Sequence, residues 1–291
     1  MKPAPFKYFA PQSLEEALEL KSQYGDEGKV LAGGQSLIPA MNFRLAQPAV
    51  LIDLNLIPEL QGISKQNGSL HIASMTRQAV AEKDPLVATH NPLLFETLPN
   101  IAHPQIRNRG TIGGSLAHAD PASELPVVAF ATGARFHAQS RTADRWLNCD
   151  EFFLGMFTIG LAGDEILTDV EIPDQEQDMG WAFLEIARRK GDYAMAGLAT
   201  TLKLDKDQTI LEAMLVFLNV GDGPVRASEA MASLVGKRPS EKAFAEAAAI
   251  ASEKEITPFG NVHASVNYQR HLSKVLAERA LAIAAQRAKA S

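Results

Sequence analysis

The sequence predicts an α+β protein built as two domains. Three observations carry that reading. The chain has 291 residues, a length that suits two cores better than one. Up to Pro173 it mixes short strand and helix patterns, with no regular βα alternation. From Trp181 three long apolar strand candidates follow one another directly, and the chain then ends in helical patterns. The boundary falls between Pro173 and Gly180.

The elements read in order as follows. Ser13 with Glu16 three residues later is a capping signal, so LEEALELKSQY forms a helix that stops at Gly25. Lys29 to Leu31 is a short strand feeding a glycine pair, and AVLIDL from Ala49 is a second, buried strand. Asn67-Gly68 between GISKQ and SLHIA predicts a hairpin with a type I′ turn. Helices are expected over Thr76 to Lys83, Pro85 to Thr97 and Pro121 to Thr132. ILTDVEIP, from Ile166 to Pro173, alternates and stops at a proline, as a strand does. WAFLEIARR, AGLATTLKL and ILEAMLVFLNV are the three C-terminal strands. An alanine-rich helix follows Ser240, and an amphipathic one carries Leu272, Val275, Leu276 and Ile283. No internal repeat is visible.

Composition narrows the function. Hydrophobic residues at 46% and charged residues at 21% are those of a folded protein. A net charge of -6 offers no footprint for nucleic acid or an anionic membrane. No apolar run approaches the roughly 20 residues of a bilayer span, and no leader segment is read near Met1, so a cytoplasmic placement is expected. The single cysteine, Cys149, reads as a core residue and excludes an intrachain disulfide or a Cys-ligated cluster. His71, His103 and His118 lack metal-ligand spacing, and no metal site is assigned. No residue stands out as a catalytic base or nucleophile.

Two segments carry chemistry: LAGGQSLI from Leu31 to Ile38, and TIGGSLAHADPASELP from Thr111 to Pro126. Each reads as an apolar strand delivered into Gly-Gly and followed by a serine, Ser36 or Ser115. Glycine accepts positive φ and removes the Cβ that blocks close approach, so successive amides can converge on an anion. Two such nests suit a diphosphate held between two loops. Neither segment is GxGxxG or GxxxxGK[ST], so nothing supports a Rossmann or P-loop reading. A tight turn explains each pair equally well on residues alone.

Together with RRKGDYA from Arg188 to Ala194, AGGQSLIP and TIGGSLAHADPASELP resemble the three signatures of the FAD-binding medium subunit of molybdenum hydroxylases. That family includes aerobic carbon monoxide dehydrogenase, the quinoline and nicotine dehydrogenases and the flavin domain of xanthine dehydrogenase. The resemblance extends over essentially the whole chain. It implies a two-subdomain FAD-binding fold of the vanillyl-alcohol oxidase type over residues 1–176, with subdomains of about 1–56 and 57–176. Residues 177–291 would form a C-terminal domain, a three-stranded antiparallel sheet with helices. Leu31, Ala32, Gly33, Gly34, Gln35, Ser36, Leu37 and Ile38 would line the adenosine-diphosphate portion of FAD. Thr111, Ile112, Gly113, Gly114 and Ser115 would supply the second loop. Asp120 and Glu124 match acidic positions of the motif, Glu124 at the one that meets the ribitol or ribose hydroxyls. Ile101 and Leu167 would contact the cofactor, the latter through its backbone, and Tyr193 would approach the isoalloxazine face.

The resemblance also implies partners: a small subunit with two 2Fe–2S clusters and a large molybdopterin subunit, assembled as a dimer of heterotrimers. Electrons would pass through FAD on this chain to an external acceptor. RNRGTIGGSLAHAD and RRKGDYA look closest to the members that oxidise aromatic N-heterocycles. A carbon-monoxide-oxidising holoenzyme, a self-contained FAD oxidase or dehydrogenase, and a non-catalytic FAD-binding module are the alternatives.

Overall fold

The computed structural model describes residues 2–288. Strands β1 (Lys7–Phe9), β2 (Gly28–Leu31) and β3 (Val50–Asp53) form a parallel sheet in the order β1-β3-β2. A middle antiparallel sheet follows, made from β4 (Ile63–Gln66), β5 (Ser69–Ala73), β6 (Arg135–Gln139) and β7 (Asp144–Leu147). The small ribbon of β8 (Phe153–Gly155) and β9 (Thr158–Ile159) comes before β10 (Ile166–Pro173), which inserts centrally to give the order β4-β5-β10-β6-β7. A C-terminal antiparallel sheet contains β11 (Gly180–Ala187), β12 (Ala194–Leu204), β13 (Ile210–Leu218) and β14 (Val225–Arg226).

Local chemistry explains most boundaries. The first helix, Leu14–Tyr24, starts where Ser13 Oγ accepts the Glu16 amide at 3.2 Å. The Glu16 carboxylate reaches back to the Gln12 amide, one residue beyond the usual reciprocal partner. Its last turn carries a buried lysine: Lys21 Nζ donates to the carbonyls of Gly25 and Gly163, tying the first sheet layer to the loop before β10. The Asn67-Gly68 turn takes positive φ at both residues, as expected of type I′, and sets the register Gln66↔Ser69.

Several expectations need correction. The helix expected over Thr76 to Lys83 is only Gln78–Ala81. The one over Pro85 to Thr97 splits into Pro85–His90 and Pro92–Thr97, because Asn91 leaves helical geometry to cap the Leu94 amide. The helix expected from Pro121 begins at Glu124. The C-terminal sheet has four strands rather than three, since Val225–Arg226 pairs with Val216–Phe217. β1 was not anticipated; three residues are too few to show a period.

The helix Glu124–Thr132 fixes the layering. Eight of its nine residues are buried, and it has no polar face. It lies between the middle sheet and β12 and β13, so both flanks need apolar side chains. Beneath it, Phe136 and Phe152 stack at 4.0 Å. Cys149 is buried, its thiol donating to the Ala134 carbonyl. On the far side, Ala182, Leu184 and Ile186 of β11 pack with the helices Glu241–Ile250 and Val266–Arg287, while Trp181 and Phe183 face the middle core. At the end of the last helix, Arg287 pairs with Glu96 at 2.8 Å and lies over the Trp181 ring.

Gly180 opens β11 where that helix crosses it. A Cβ there would overlap the Ala284 carbonyl and stand 2.6 Å from the Ala288 amide nitrogen. Gly180→Ala is therefore expected to destabilise the chain by about 1–3 kcal/mol through overpacking. Gly223→Ala, where a Cβ meets open space, should be near neutral. Denaturant midpoints of the two variants test the comparison.

Candidate functional site

The first glycine segment leaves the C-terminal edge of the parallel sheet, where open α/β sheets present ligand crevices. β2 ends at Leu31, and Ser36 opens the helix Leu37–Asn42. Gly34 has φ +72, a conformation that favours glycine. The Ala32 carbonyl accepts from Asn55 Nδ2 at 2.9 Å, and the Gly33 carbonyl from Gln35 Nε2 at 3.1 Å. With those carbonyls engaged, the amides of Gly33, Gly34, Gln35 and Ser36 donate to no group among the described residues. Gly33, Gly34 and Gln35 border a groove of about 320 Å³ lined also by Leu31, Ala32, Ile38, Asp53, Asn55 and Arg109, and Ser36 and Leu37 follow at the start of the next helix, outside that lining. Converging free N–H groups at such an edge form an anion nest.

The second glycine segment is built differently, which corrects the expectation of two equivalent strand-to-loop nests. Thr111 is an N-cap, and Ile112, Gly113, Gly114 and Ser115 belong to the helix Ile112–His118. Their amides are already engaged. Ile112 donates to the Thr76 carbonyl, Gly113 to the Ser74 carbonyl, Gly114 to Thr111 Oγ1 and Ser115 to the Thr111 carbonyl. The glycines here serve close packing. A Cβ on Gly113 would come within 2.5 Å of Ser74 Cβ, and one on Gly114 within 2.6 Å of Thr111 Oγ1 and 3.0 Å of Ala32 Cβ. From the other side, a Cβ on Gly33 would overlap the Arg109 carbonyl. The two segments therefore abut, backbone to backbone.

A second cluster forms where the C-terminal sheet meets the middle layer. Gly191, at φ +87, rests on the His103 ring and the Ala102 carbonyl, bringing RRKGDYA onto the Ile101–His103 turn. Arg107 holds that turn, forming a bidentate pair with Glu82 at 2.8 and 3.0 Å and donating to the Ile101 carbonyl at 2.7 Å. Its role is structural. Asn219, which sequence reasoning missed, clamps the other wall: its amide donates to the Pro121 carbonyl and its Nδ2 to the Ala194 carbonyl. An asparagine at φ +57 between two loops leaves no sequence period to read.

Asp120, Glu124, Ile101 and Tyr193 meet at this junction. Asp120 does not cap the following helix; Ser123 is its N-cap, and Asp120 Oδ1 accepts the Ala122 amide at 2.9 Å. Ser115 Oγ bonds Ser123 Oγ at 3.0 Å, linking the second glycine segment to this turn. The Glu124 carboxyl, 7% exposed, is pushed up to about 7 by burial and then by the charge of Asp120. The Tyr193 ring is 69% exposed, and its hydroxyl is raised by the surrounding protein and by Asp120 and Glu124. Leu167 is not brought to either cluster by its side chain. It is buried in the middle core beside a register irregularity of β10, and Ile112 is buried likewise.

Comparison with known proteins accords with this geometry. Residues 4–175 match the FAD binding domain in molybdopterin dehydrogenase, and residues 181–284 match the CO dehydrogenase flavoprotein C-terminal domain. The alpha subunit of the 6-hydroxypseudooxynicotine dehydrogenase complex of Paenarthrobacter nicotinovorans is 39% identical over 289 residues, covering 99% of this chain and 97% of that one. Carbon monoxide dehydrogenase from Hydrogenophaga pseudoflava superposes with a TM-score of 0.96 at 36% identity, over 99% of this chain and 100% of that one. Quinoline 2-oxidoreductase from Pseudomonas putida 86 gives a TM-score of 0.93 at 36% identity, over 98% and 99%. Both domains, in the same order and at nearly full length, place this chain in the family of FAD-binding medium subunits of molybdenum hydroxylases.

Proposed function

We propose that this chain is the electron-relay flavoprotein of a three-subunit molybdenum hydroxylase acting on an aromatic N-heterocycle. The observation that carries the relay is the row of four free amides at the edge of the parallel sheet, in a chain that also gathers Asp120, Glu124 and Tyr193 near the C-terminal sheet. Diphosphate suits the amides, and the carboxyls with the exposed Tyr193 ring suit a hydroxylated chain ending in a flat ring. In the proposed assembly a large subunit holds the molybdopterin cofactor and the substrate, a small one holds two 2Fe–2S clusters, and FAD relays electrons to an external acceptor. When bound, FAD supplies the capacity to take up and release electrons singly or in pairs. Residues 1–176, with subdomains of about 1–56 and 57–176, would hold it, and residues 177–291 would close over it. A dimer of such heterotrimers in the cytoplasm completes the reading.

The chain's own residues do the binding and orienting. The amides of Gly33 to Ser36 would hold the diphosphate. Leu31, Ala32 and Ile38 would shape the nucleotide groove, with Leu37 on the helix beside it, and Arg109 adds positive charge at its wall. Thr111 to Gly114 would hold the groove's floor at packing distance rather than donate amides. Ser115, Asp120 and Glu124 would meet the hydroxyls of the ribityl chain, with Ile101 and Tyr193 against the ring and Leu167 behind it. The N-heterocycle is supported by the string similarities noted above and by the relatives named for quinoline and for nicotine-derived substrates.

Gly34→Val puts a β-branched residue at φ +72 inside the groove, and FAD retention should fall at least about tenfold. Gly114→Val should also lose FAD, and in addition about 1–3 kcal/mol of stability, because it forces Thr111 and Ala32 apart. Released flavin and urea midpoints separate the two cases; stoichiometric FAD in Gly34→Val would refute the nest.

Tyr193→Ala should retain FAD but alter its absorbance and reoxidation rate. An unchanged spectrum with unchanged kinetics would reduce Tyr193 to a turn residue.

Isolation of the native complex should yield three chains, FAD, iron and molybdenum, with turnover of an N-heterocycle. Turnover of carbon monoxide alone would reverse the substrate assignment. Oxidation of an organic substrate by this chain without partners would remove the relay role.

A further inference from the structure

No motif points to Asn55, yet its side chain meets the first glycine segment with both of its polar atoms engaged. Nδ2 donates to the Ala32 carbonyl at 2.9 Å and also to Asp53 Oδ1, while Oδ1 accepts from Arg77. The amide can stand only one way round. A guanidinium donates and never accepts, so the oxygen must face Arg77, and the two oxygens opposite must meet the nitrogen. Asp53 Oδ1 also takes the Asn55 backbone amide at 2.9 Å, which holds the residue just beyond β3.

The bond to Ala32 acts on the nest through the peptide plane. In a planar trans peptide the C=O and the N–H point in opposite directions. Ala32 supplies the carbonyl and Gly33 the N–H of one such unit, so pinning the Ala32 oxygen on Asn55 turns the Gly33 N–H away from Asn55. The next unit is pinned in the same way. The Gly33 carbonyl accepts from Gln35 Nε2 at 3.1 Å, and that bond sets the Gly34 N–H. Glycine has the widest choice of backbone conformations, so without these two pegs the segment is free to rotate its peptides.

Arg77 ties the arrangement to the second glycine segment. Its backbone bridges to Thr111, and its guanidinium donates to the Arg109 carbonyl as well as to Asn55 Oδ1. Both acceptors are neutral, and the charges acting on Arg77 are those of Arg109 and Asp53. Asp53 is shared with Tyr8, whose hydroxyl donates to Oδ2 at 2.6 Å. Arg109 lines the groove and Arg77 lies one hydrogen bond behind it, so two guanidiniums face one carboxylate. That surplus of positive charge suits an anion.

We propose that Asn55 is a positioning residue for the anion nest: held by Arg77 and Asp53, its side-chain amide fixes the Ala32–Gly33 peptide in the orientation that offers the Gly33 N–H to a diphosphate, and Gln35 does the same for the Gly34 N–H. Asn55 acts through the peptide it holds. The inference rests on the diphosphate reading of the groove, and inorganic pyrophosphate tests it apart from the rest of FAD.

The experiment uses the full chain, isotope-labelled at its glycine nitrogens and without added FAD, titrated with inorganic pyrophosphate while the glycine amide resonances are followed. In wild type the Gly33 and Gly34 signals should shift saturably. Asn55→Leu, uncharged and of similar size, should weaken pyrophosphate about tenfold or more and lose the Gly33 response while Gly34 still responds. Gln35→Leu should give the reverse pattern. Resonances of glycines elsewhere, Gly68 and Gly223 among them, report whether each variant keeps the fold. Asn55→Asp keeps a partner for Arg77 but sets an oxygen against the Ala32 carbonyl; it too should lose the Gly33 response, and it decides the matter if the leucine unfolds the chain. Wild-type affinity with both responses intact in the Asn55 variants would overturn the positioning role. Equal loss of both responses in Asn55→Leu and Gln35→Leu would also overturn it, as a general loosening. No response to pyrophosphate in wild type would remove the nest and this inference together. The expected pattern with pyrophosphate, but no binding of FAD, would leave the positioning role standing and remove the cofactor reading.

Discussion

The contact between the two glycine segments is the constraint on which the rest of the molecule depends. Gly33 lies against the Arg109–Gly110 backbone and Gly114 against Ala32, so two segments more than seventy residues apart in sequence share one van der Waals surface. That closeness joins the parallel sheet to the middle layer. It also sets how far Arg109 stands from the free amides of Gly33 to Ser36. The glycines are therefore doubly determined. One pair leaves its amides unpaired beside a groove, and both let two chain segments touch. The same residue type in two similar strings serves two different physical ends.

Much of the fold was legible in the sequence because it rests on local signals. The Ser13 cap, the Asn67-Gly68 turn and the alternation of ILTDVEIP each act within a few residues, and each appears where the sequence puts it. What was not legible depends on tertiary partners. β1, β7, β9 and β14 have two to four residues each, too few to show a period, and exist through the strands they pair with, in the case of β1 one more than forty residues away. TIGGSL reads as a strand entering a turn, yet it is helical because the Thr111 hydroxyl and the Ser74 and Thr76 carbonyls satisfy its amides. No pattern in the string announces those acceptors. Among candidate residues the motifs single out Gly33, Gly34, Glu124 and Tyr193, which lie in glycine turns or close to an acidic group. Asn219 could not be found, because it matters only through the Pro121 and Ala194 carbonyls that lie across from it.

The junction between the middle layer and the C-terminal sheet shows how an otherwise apolar helix can carry a buried acid at its first position. The body of Glu124–Thr132 is sandwiched between sheets, and its first residue, also buried, follows the Asp120 turn. Burial that stabilises the helix also strips water from Glu124 and raises its carboxyl. Packing and proton affinity are therefore two results of one placement, and a substitution that loosened the sandwich would alter both.

Arg287 gives this arrangement a direction in time. It closes on Glu96 across 191 residues and lies on the indole of Trp181 at the head of β11. Loop-closure entropy makes so distant a contact unfavourable until the intervening sheets have formed. During synthesis the cap residue Asn91 and its helix emerge long before their arginine does. The nucleotide-facing layers can thus assemble while the chain is still growing, and the final helix arrives as a latch across a body already built.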